Sequence, residues 1–296
     1  MPITTKEASI EWGISDRRIR VLCENGKIPG ATLIGKTWMI PDDATKPEDS
    51  RTSVQIYLAK INKLKSELDS KRPLTEGELK KLNDEFVVEY TYNSNAIEGN
   101  TLTLRETGLV LQGLTIDKKP LKDHLEVIGH KEAFDFICDL VKNKAELTES
   151  YIKQIHYLVL SNLPTDRGVY RKVPVRILGA KTVPVDPYLI QPKIQDLLIW
   201  YKESEDNFLI KLAKFHIQFE SVHPFIDGNG RTGRLLVNLE LMKMGYPPID
   251  IKYKDRMAYY NAFDAYHTGG DLVPMAKLFG KYLVERLETY NKILDA

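Results

Sequence analysis

A glycine-rich turn with helical segments on both sides constrains this chain more than any other feature. Residues 223–234 read HPFIDGNGRTGR; Gly228, Gly230 and Gly233 fit the spacing GxGxxG, with Asp250 twenty residues beyond Gly230. That spacing serves a dinucleotide only where a hydrophobic strand feeds the turn, because the turn joins strand to helix across the pyrophosphate. Here the preceding stretch, NFLIKLAKFHIQFESVH, places Leu209, Leu212, Ala213, Phe219 and Val222 on one helical stripe. A helix therefore enters the turn, and a dinucleotide-binding α/β unit is excluded. A P-loop is excluded as well, since GxxxxGK(S/T) needs a lysine to reach the phosphates and none occurs between His223 and Arg234.

Beyond the turn, DGNGRTGRLLVNLELMKMG predicts a helix from Asn229 to about Lys243, stopped by Gly245. Free backbone N–H groups at such a helix start, with the positive end of the dipole behind them, make an anion site. Arg231 and Arg234 are three apart and can lean toward the same phosphate chain. Asp227 sits where it can hold a magnesium ion bridging phosphate oxygens. His223 can take a proton from an incoming hydroxyl near neutral pH.

The expected fold class is mainly α. SVQIYLAKINKLKSELDSK is helical by period, and further helices are predicted to open near Thr75, Leu121, Thr148, Gln191, Asn207, Arg256 and Leu272. The exception is YRKVPVRILGAKTVPVDP, residues 170–187. Val173, Val175 and Ile177 alternate before Gly179, and Val183 and Val185 after it, predicting a β-hairpin inserted in the helical body. At the N-terminus, Thr4 and Glu7 form a capping-box pattern before a short helix closed by Gly13. A second helix runs from Ser15 to Gly26, and a hairpin wing turns at Gly35 and Lys36. The polar PDDATKPEDSR follows as a linker, giving an N-terminal domain at 1–46, a helical region at 47–120 and the main domain at 121–296.

The order helix, turn, helix, wing resembles the small excisionase-like and MerR-like winged helix-turn-helix modules. That resemblance implies DNA as a partner of residues 1–46, met by Arg17, Arg18 and Arg20 at the start of the second helix. Against it, the net charge is +1, and residues 1–41 hold six basic against four acidic side chains, a thin surplus for a phosphate binder. A packing or dimerisation piece is the alternative.

HPFIDGNGRTGR matches in full the motif HxFx(D/E)GNGRxxR, and it resembles the active site of Fic-domain protein adenylyltransferases. The wider resemblance spans roughly Thr75 to Tyr290. It implies a Fic-fold helical core with a β-hairpin flap, and a reaction in which His223 deprotonates a target hydroxyl that attacks the α-phosphate of ATP and expels pyrophosphate. Phe225 would anchor the loop, Asp227 bind Mg²⁺, and Gly228, Asn229 and Gly230 form the anion hole. Arg231 and Arg234 would neutralise the β- and γ-phosphates. The flap, carrying Val173, Val175, Ile177 and Val183, would clamp a segment of the target protein by strand addition. Tyr259, Tyr260 and Asn261 fall where the family lines its adenine and ribose pocket.

Upstream lies SNAIEGN, in which Ser94, Glu98 and Gly99 resemble the Fic inhibitory motif (S/T)xxxE(G/N). Taken alone, Ser-x-x-x-Glu means one exposed helix turn. The resemblance implies instead that Glu98 pairs with Arg234 and withholds it from the γ-phosphate. It also implies that the same glutamate can align water to remove AMP from a modified target. Two other readings stay open: a DNA-bound regulator whose Fic domain senses nucleotide, and transfer of another nucleotide, phosphocholine or phosphate. An intact His223 weighs against a sensor, which needs no general base. Self-association into a homodimer is implied by the resemblance alone.

Cys23 and Cys138 lack CxxC spacing, which argues for a reducing compartment. With no leader-like N-terminus and no apolar run long enough to span a bilayer, the expectation is a cytoplasmic protein with no membrane partner. Of the remaining histidines, His216 is expected to be a packing residue, and Glu220, one turn before His223, a solvated acid.

Overall fold

In the computed structural model the described residues are 2–46, 50–177, 179 and 182–295. The chain divides into two compact units, Met1–Ser53 and Val54–Ala296. Among the described residues no helix is long and apolar enough to cross a membrane.

The first unit is ordered by local signals. Thr4 and Glu7 close a reciprocal capping box at the start of α1 (Thr5–Trp12), and Gly13 ends it in the left-handed region at φ 64. The side chain of Ser15 caps α2 (Asp16–Glu24) by accepting from the Arg18 amide. Strands β1 (Ile3–Thr4), β2 (Thr32–Ile34) and β3 (Thr37–Ile40) form an antiparallel sheet in the order β1-β3-β2, with Leu33 opposite Trp38. Ala8, Trp12, Ile19, Cys23, Ile28 and Ile40 make its small core. Arg17, Arg18 and Arg20 are exposed, and Arg20 pairs with Asp16 one turn back.

The second unit is helical: α3 (Ser50–Ser70), α4 (Glu76–Ile97), α5 (Leu104–Leu111), α6 (Leu121–Lys142), α7 (Glu149–Val159), α8 (Ile190–Glu203), α9 (Phe208–Val222), α10 (Asn229–Lys243), α11 (Arg256–Gly269) and α12 (Val273–Asp295). Two apolar cores flank the α9–α10 pair. Leu212, Ile217, Val237 and Leu241 face the core shared with α11 and α12, and Phe215, Phe219, Leu235 and Leu239 face the core shared with α6, α7 and α8. Helix α10 is therefore buried all round, with twelve of its fifteen residues inside. Its polar members must find partners there, because an unpaired buried polar group costs about 1–3 kcal/mol. Asn238 does so by exchanging hydrogen bonds with the backbone of Ile249 at 2.9 and 2.8 Å. Asp250, the acid at ribose-binding spacing, is likewise structural: it is buried and accepts from Asn93 Nδ2 and Lys252 Nζ.

The β-hairpin expected at 170–187 is absent among the described residues of that segment; residues 178, 180 and 181, at its turn, lie outside them. Pro174 and Pro184, one on each limb, lack the N–H that a ladder requires. The limbs are bridged instead by the Arg171 guanidinium, which donates to the carbonyls of Val173 and Val185.

Candidate active site

The turn between α9 and α10 carries the reactive groups. His223 ends α9 in the left-handed region at φ 48, a conformation a non-glycine residue holds only where its surroundings impose it. Phe225 is fully buried and stacks on His156 with ring centroids 3.6 Å apart. The Asn229 side chain both accepts from the Phe225 amide and donates to its carbonyl, each at 2.9 Å, so it shapes the loop and leaves only its amide for an anion. His156 ties the same loop to α7: its Nε2 meets the Asp227 carbonyl at 2.9 Å, while Nδ1 accepts from the Gly168 amide at 3.0 Å.

A cavity of about 510 Å³ opens at this turn. His223, Asp227, Gly228, Asn229 and Gly230 line one side, Tyr259, Tyr260 and Asn261 of α11 contribute to the lining, and Glu98, Ile177, Gly179 and Thr182 reach it from elsewhere. Of the flap residues expected to meet a target, Ile177 lines the cavity, Val173 and Val183 are exposed, and Val175 is half-buried. Burial, with the positive charge of Arg171 nearby, holds the His223 imidazole below its ordinary pKa, so the ring is neutral and able to accept a proton at pH 7.

Glu98 caps the C-terminal end of α4, and the buried polar run Asn93, Ser94 and Asn95 brings that end against α10. Arg234 is held there three times: Nε donates to Ser94 Oγ at 3.0 Å, and Nη2 to the Ser94 carbonyl at 2.7 Å and to Glu98 Oε1 at 2.8 Å. Gly230 makes room for the carboxylate, since a Cβ there would lie 2.2 Å from Glu98 Oε1. Gly99 follows at φ 92, where glycine turns the chain out of the helix. The Tyr260 hydroxyl donates to the Ile97 carbonyl at 2.9 Å, so α11 also grips the last turn of α4.

Arg231 and Arg234, both expected on a phosphate, stand outside the lining of the cavity. The Arg231 side chain is 1% exposed and lies 3.2 Å from Glu126 of α6 and 3.3 Å from Asp227 Oδ1. A buried guanidinium needs a counter-ion, and Glu126, itself bonded by Asn100 Nδ2 at 3.0 Å, supplies it. Glu126, Asn100 and His156 carried no sequence signal, because nothing in helical spacing says which acid meets which base. Glu220 is a correction of another kind. Its Oε1 is buried without a partner and packs where Gly233 has no side chain, and burial together with the charge of Glu98 pushes its carboxyl up to about 8.

The buried histidines give a testable sign. Burial lowers His156 to about 4 and His216 to about 3, and holds His130 well below 6.5. Between about pH 4.5 and 6.5 the unfolded chain binds these three protons and the folded chain does not, while Glu220 does the reverse. Their contribution is complete above pH 6.5 and shrinks as pH falls, by about 1.4 kcal/mol per pH unit for each uncompensated proton. Urea midpoints should drop from pH 7 to pH 5; an unchanged midpoint would contradict the burial of neutral rings.

The sequence profile of the Fic/DOC family matches residues 146–241. Among curated proteins, the chain is 34% identical over 209 residues to protein adenylyltransferase fic-1 of Caenorhabditis elegans, covering 68% of this chain and 40% of that protein. It is 32% identical over 262 residues to protein adenylyltransferase Fic of Nematostella vectensis, covering 82% and 61%. The chain thus spans less than two thirds of the length of each of these relatives. Among solved structures, a Fic domain containing signaling protein from Bacteroides thetaiotaomicron superposes with a TM-score of 0.73 at 30% identity, over 80% of this chain and 97% of that one. Fic-1 of C. elegans gives the same TM-score at 28% identity, over 83% of this chain and 73% of that one.

Proposed function

This chain belongs to the Fic/DOC family, and we propose that it is a protein adenylyltransferase, transferring AMP from ATP to a hydroxyl side chain of a target protein, with Glu98 as its restraint. The observation that carries this reading is the pairing of a complete loop with an occupied clamp. His223, Asp227 and the Gly228–Gly230 amides share one cavity, while Arg234 beside it is bound to Ser94 and Glu98.

His223 accepts the proton of the target hydroxyl, whose oxygen forms a bond to the α-phosphorus as the bond to pyrophosphate breaks. The amides at the start of α10 stabilise the charge on the phosphates. Arg234, once released, serves the γ-phosphate. The single carboxylate of Asp227 suits Mg²⁺, which takes one or two protein oxygens and fills its shell from phosphates and water. Its Oδ1 already accepts from the Gly228 amide at 2.6 Å, which leaves Oδ2 for the ion. Among the described residues no cluster of three His, Cys, Asp or Glu offers an alternative metal site. Bound there, the ion would neutralise phosphate charge. Arg231, sealed against Glu126, steadies Asp227. Incubation with labelled ATP, Mg²⁺ and host lysate tests the activity; absence of any labelled protein, in the wild type and in the Glu98→Gly variant alike, would refute it.

For residues 1–46 we propose DNA as the partner, on the observation that Arg17, Arg18 and Arg20 stand exposed on α2, in a unit that also carries the β2–β3 hairpin. Binding in a mobility-shift assay should weaken steeply between 50 and 200 mM salt. Replacing Arg17 and Arg18 by Ala should reduce the slope against log salt by about 1 per lost phosphate contact. No shift at low salt would discard this arm.

A further inference from the structure

A general base is ordinarily oriented by a third group bonded to the far side of its ring. For His223 no side chain takes that role: its buried Nδ1 makes no side-chain hydrogen bond among the described residues, and the group that acts on the ring is the Glu220 main chain. Its placement is set through the main chain. The His223 amide donates to the Phe219 carbonyl at 3.1 Å, which ends α9. On the other side stands Arg171. Its Nε donates to the His223 carbonyl at 2.7 Å, its Nη2 to the Val222 carbonyl at 3.3 Å, and its own amide to the Pro224 carbonyl at 3.0 Å. Three consecutive carbonyls around the base are thus bound by one residue.

The other donors of the same guanidinium point to the flap segment. Nη1 donates to the Val173 carbonyl at 3.0 Å, and Nη2 also donates to the Val185 carbonyl, one on each limb. Arg171 is 5% exposed, and the Asp186 carboxylate acts on its charge. Its side-chain hydrogen bonds go to main-chain carbonyls, an arrangement that needs the planar, several-donor fork of arginine and that an ammonium cannot span. Between the bridged carbonyls, Ile177, Gly179 and Thr182 reach the cavity that His223 lines. The two limbs, not laddered to each other among the described residues, leave backbone groups to which an extended segment could pair.

We propose that Arg171 is a positioning residue for AMP transfer: by binding the His223 carbonyl and both flap limbs through one rigid group, it sets the distance between the base and the edge on which the target hydroxyl is laid. The proposal rests on the adenylyltransferase reading for its kinetics, not for its geometry.

The experiment compares Arg171→Met and Arg171→Lys, each in the Glu98→Gly background, with Glu98→Gly alone. Three quantities are measured: ATP·Mg²⁺ affinity by calorimetry, AMP transfer to lysate proteins, and amide exchange by mass spectrometry. Transfer should fall about 10²-fold, as expected when reacting groups are displaced by about 1 Å, while ATP affinity changes less than about threefold. Exchange should quicken in 172–177, 182–186 and 222–226 and stay unchanged in α10 and α12, and lysine should not rescue either property. Transfer within about threefold of the parent, or exchange that quickens throughout the unit, would overturn the proposal. If the Met variant aggregates, the Lys variant, which keeps charge and length, decides on the same criteria. If the Glu98→Gly parent itself labels nothing, the adenylyltransferase reading fails, and exchange alone still decides whether Arg171 holds base and flap together.

Discussion

Replacing Glu98 by glycine should raise the proposed AMP transfer by about 10- to 100-fold, the effect expected from freeing an arginine from charge-assisted bonds worth about 1.5–3 kcal/mol. Arg234 Nη2 sits 2.8 Å from Glu98 Oε1, so the γ-phosphate has to compete with a carboxylate already in place. The Ser94 contacts differ in kind: one is to the backbone carbonyl, which survives substitution, and Ser94→Ala should therefore activate far less. Glu98→Gln separates charge from shape, since an amide of the same size cannot neutralise the guanidinium; it should activate, though less than glycine. Initial rates with labelled ATP and lysate proteins measure all three. Equal labelling by wild type and Glu98→Gly would remove Glu98 as the restraint, and the same variant should lose any ability to strip AMP from a modified target.

The second large effect is loss. His223→Ala in the Glu98→Gly background should lower transfer by about 10²–10⁴-fold, the range for a removed general base, and leave ATP binding nearly intact, because the amides of Gly228 to Gly230 and the α11 wall remain. Retained transfer would move the base elsewhere. In the parent, the acid limb of the rate against pH should lie below 6.5, since burial lowers the His223 pKa and the neutral form persists to more acidic pH. A limb at or above 6.5 would contradict the buried position of the ring.

Local chemistry was legible wherever one segment carries its own partners. Thr4 with Glu7, Ser15 and Gly13 predicted the ends of α1 and α2, because a cap and the amide it satisfies are a few residues apart. The stripe from Leu209 to Val222 separated a helix-fed turn from a dinucleotide fingerprint, and α9 runs over that span. The alternation at 170–187 misled, since period-two patterning says which residues face together, whereas a ladder also needs N–H donors that Pro174 and Pro184 lack. Glu220 misled for the reverse reason. It is an acid on a helix by sequence, but the close approach of α9 and α10 at Gly233 buries its Oε1 without a partner.

The sequence by itself determined the helical class, the starts of most helices and the candidate reactive loop, because each depends on side chains within a turn or two of one another. Tertiary structure decided which charges meet. Glu98 and Arg234 are 136 positions apart, and a family resemblance, not spacing, predicted their pairing. Arg231 turned to Glu126, and Arg171 reached across to His223, without any signal in the chain. Those choices follow from burying α10 on every side, where each guanidinium must take whatever acceptors the neighbouring helices and loops bring within about 3 Å.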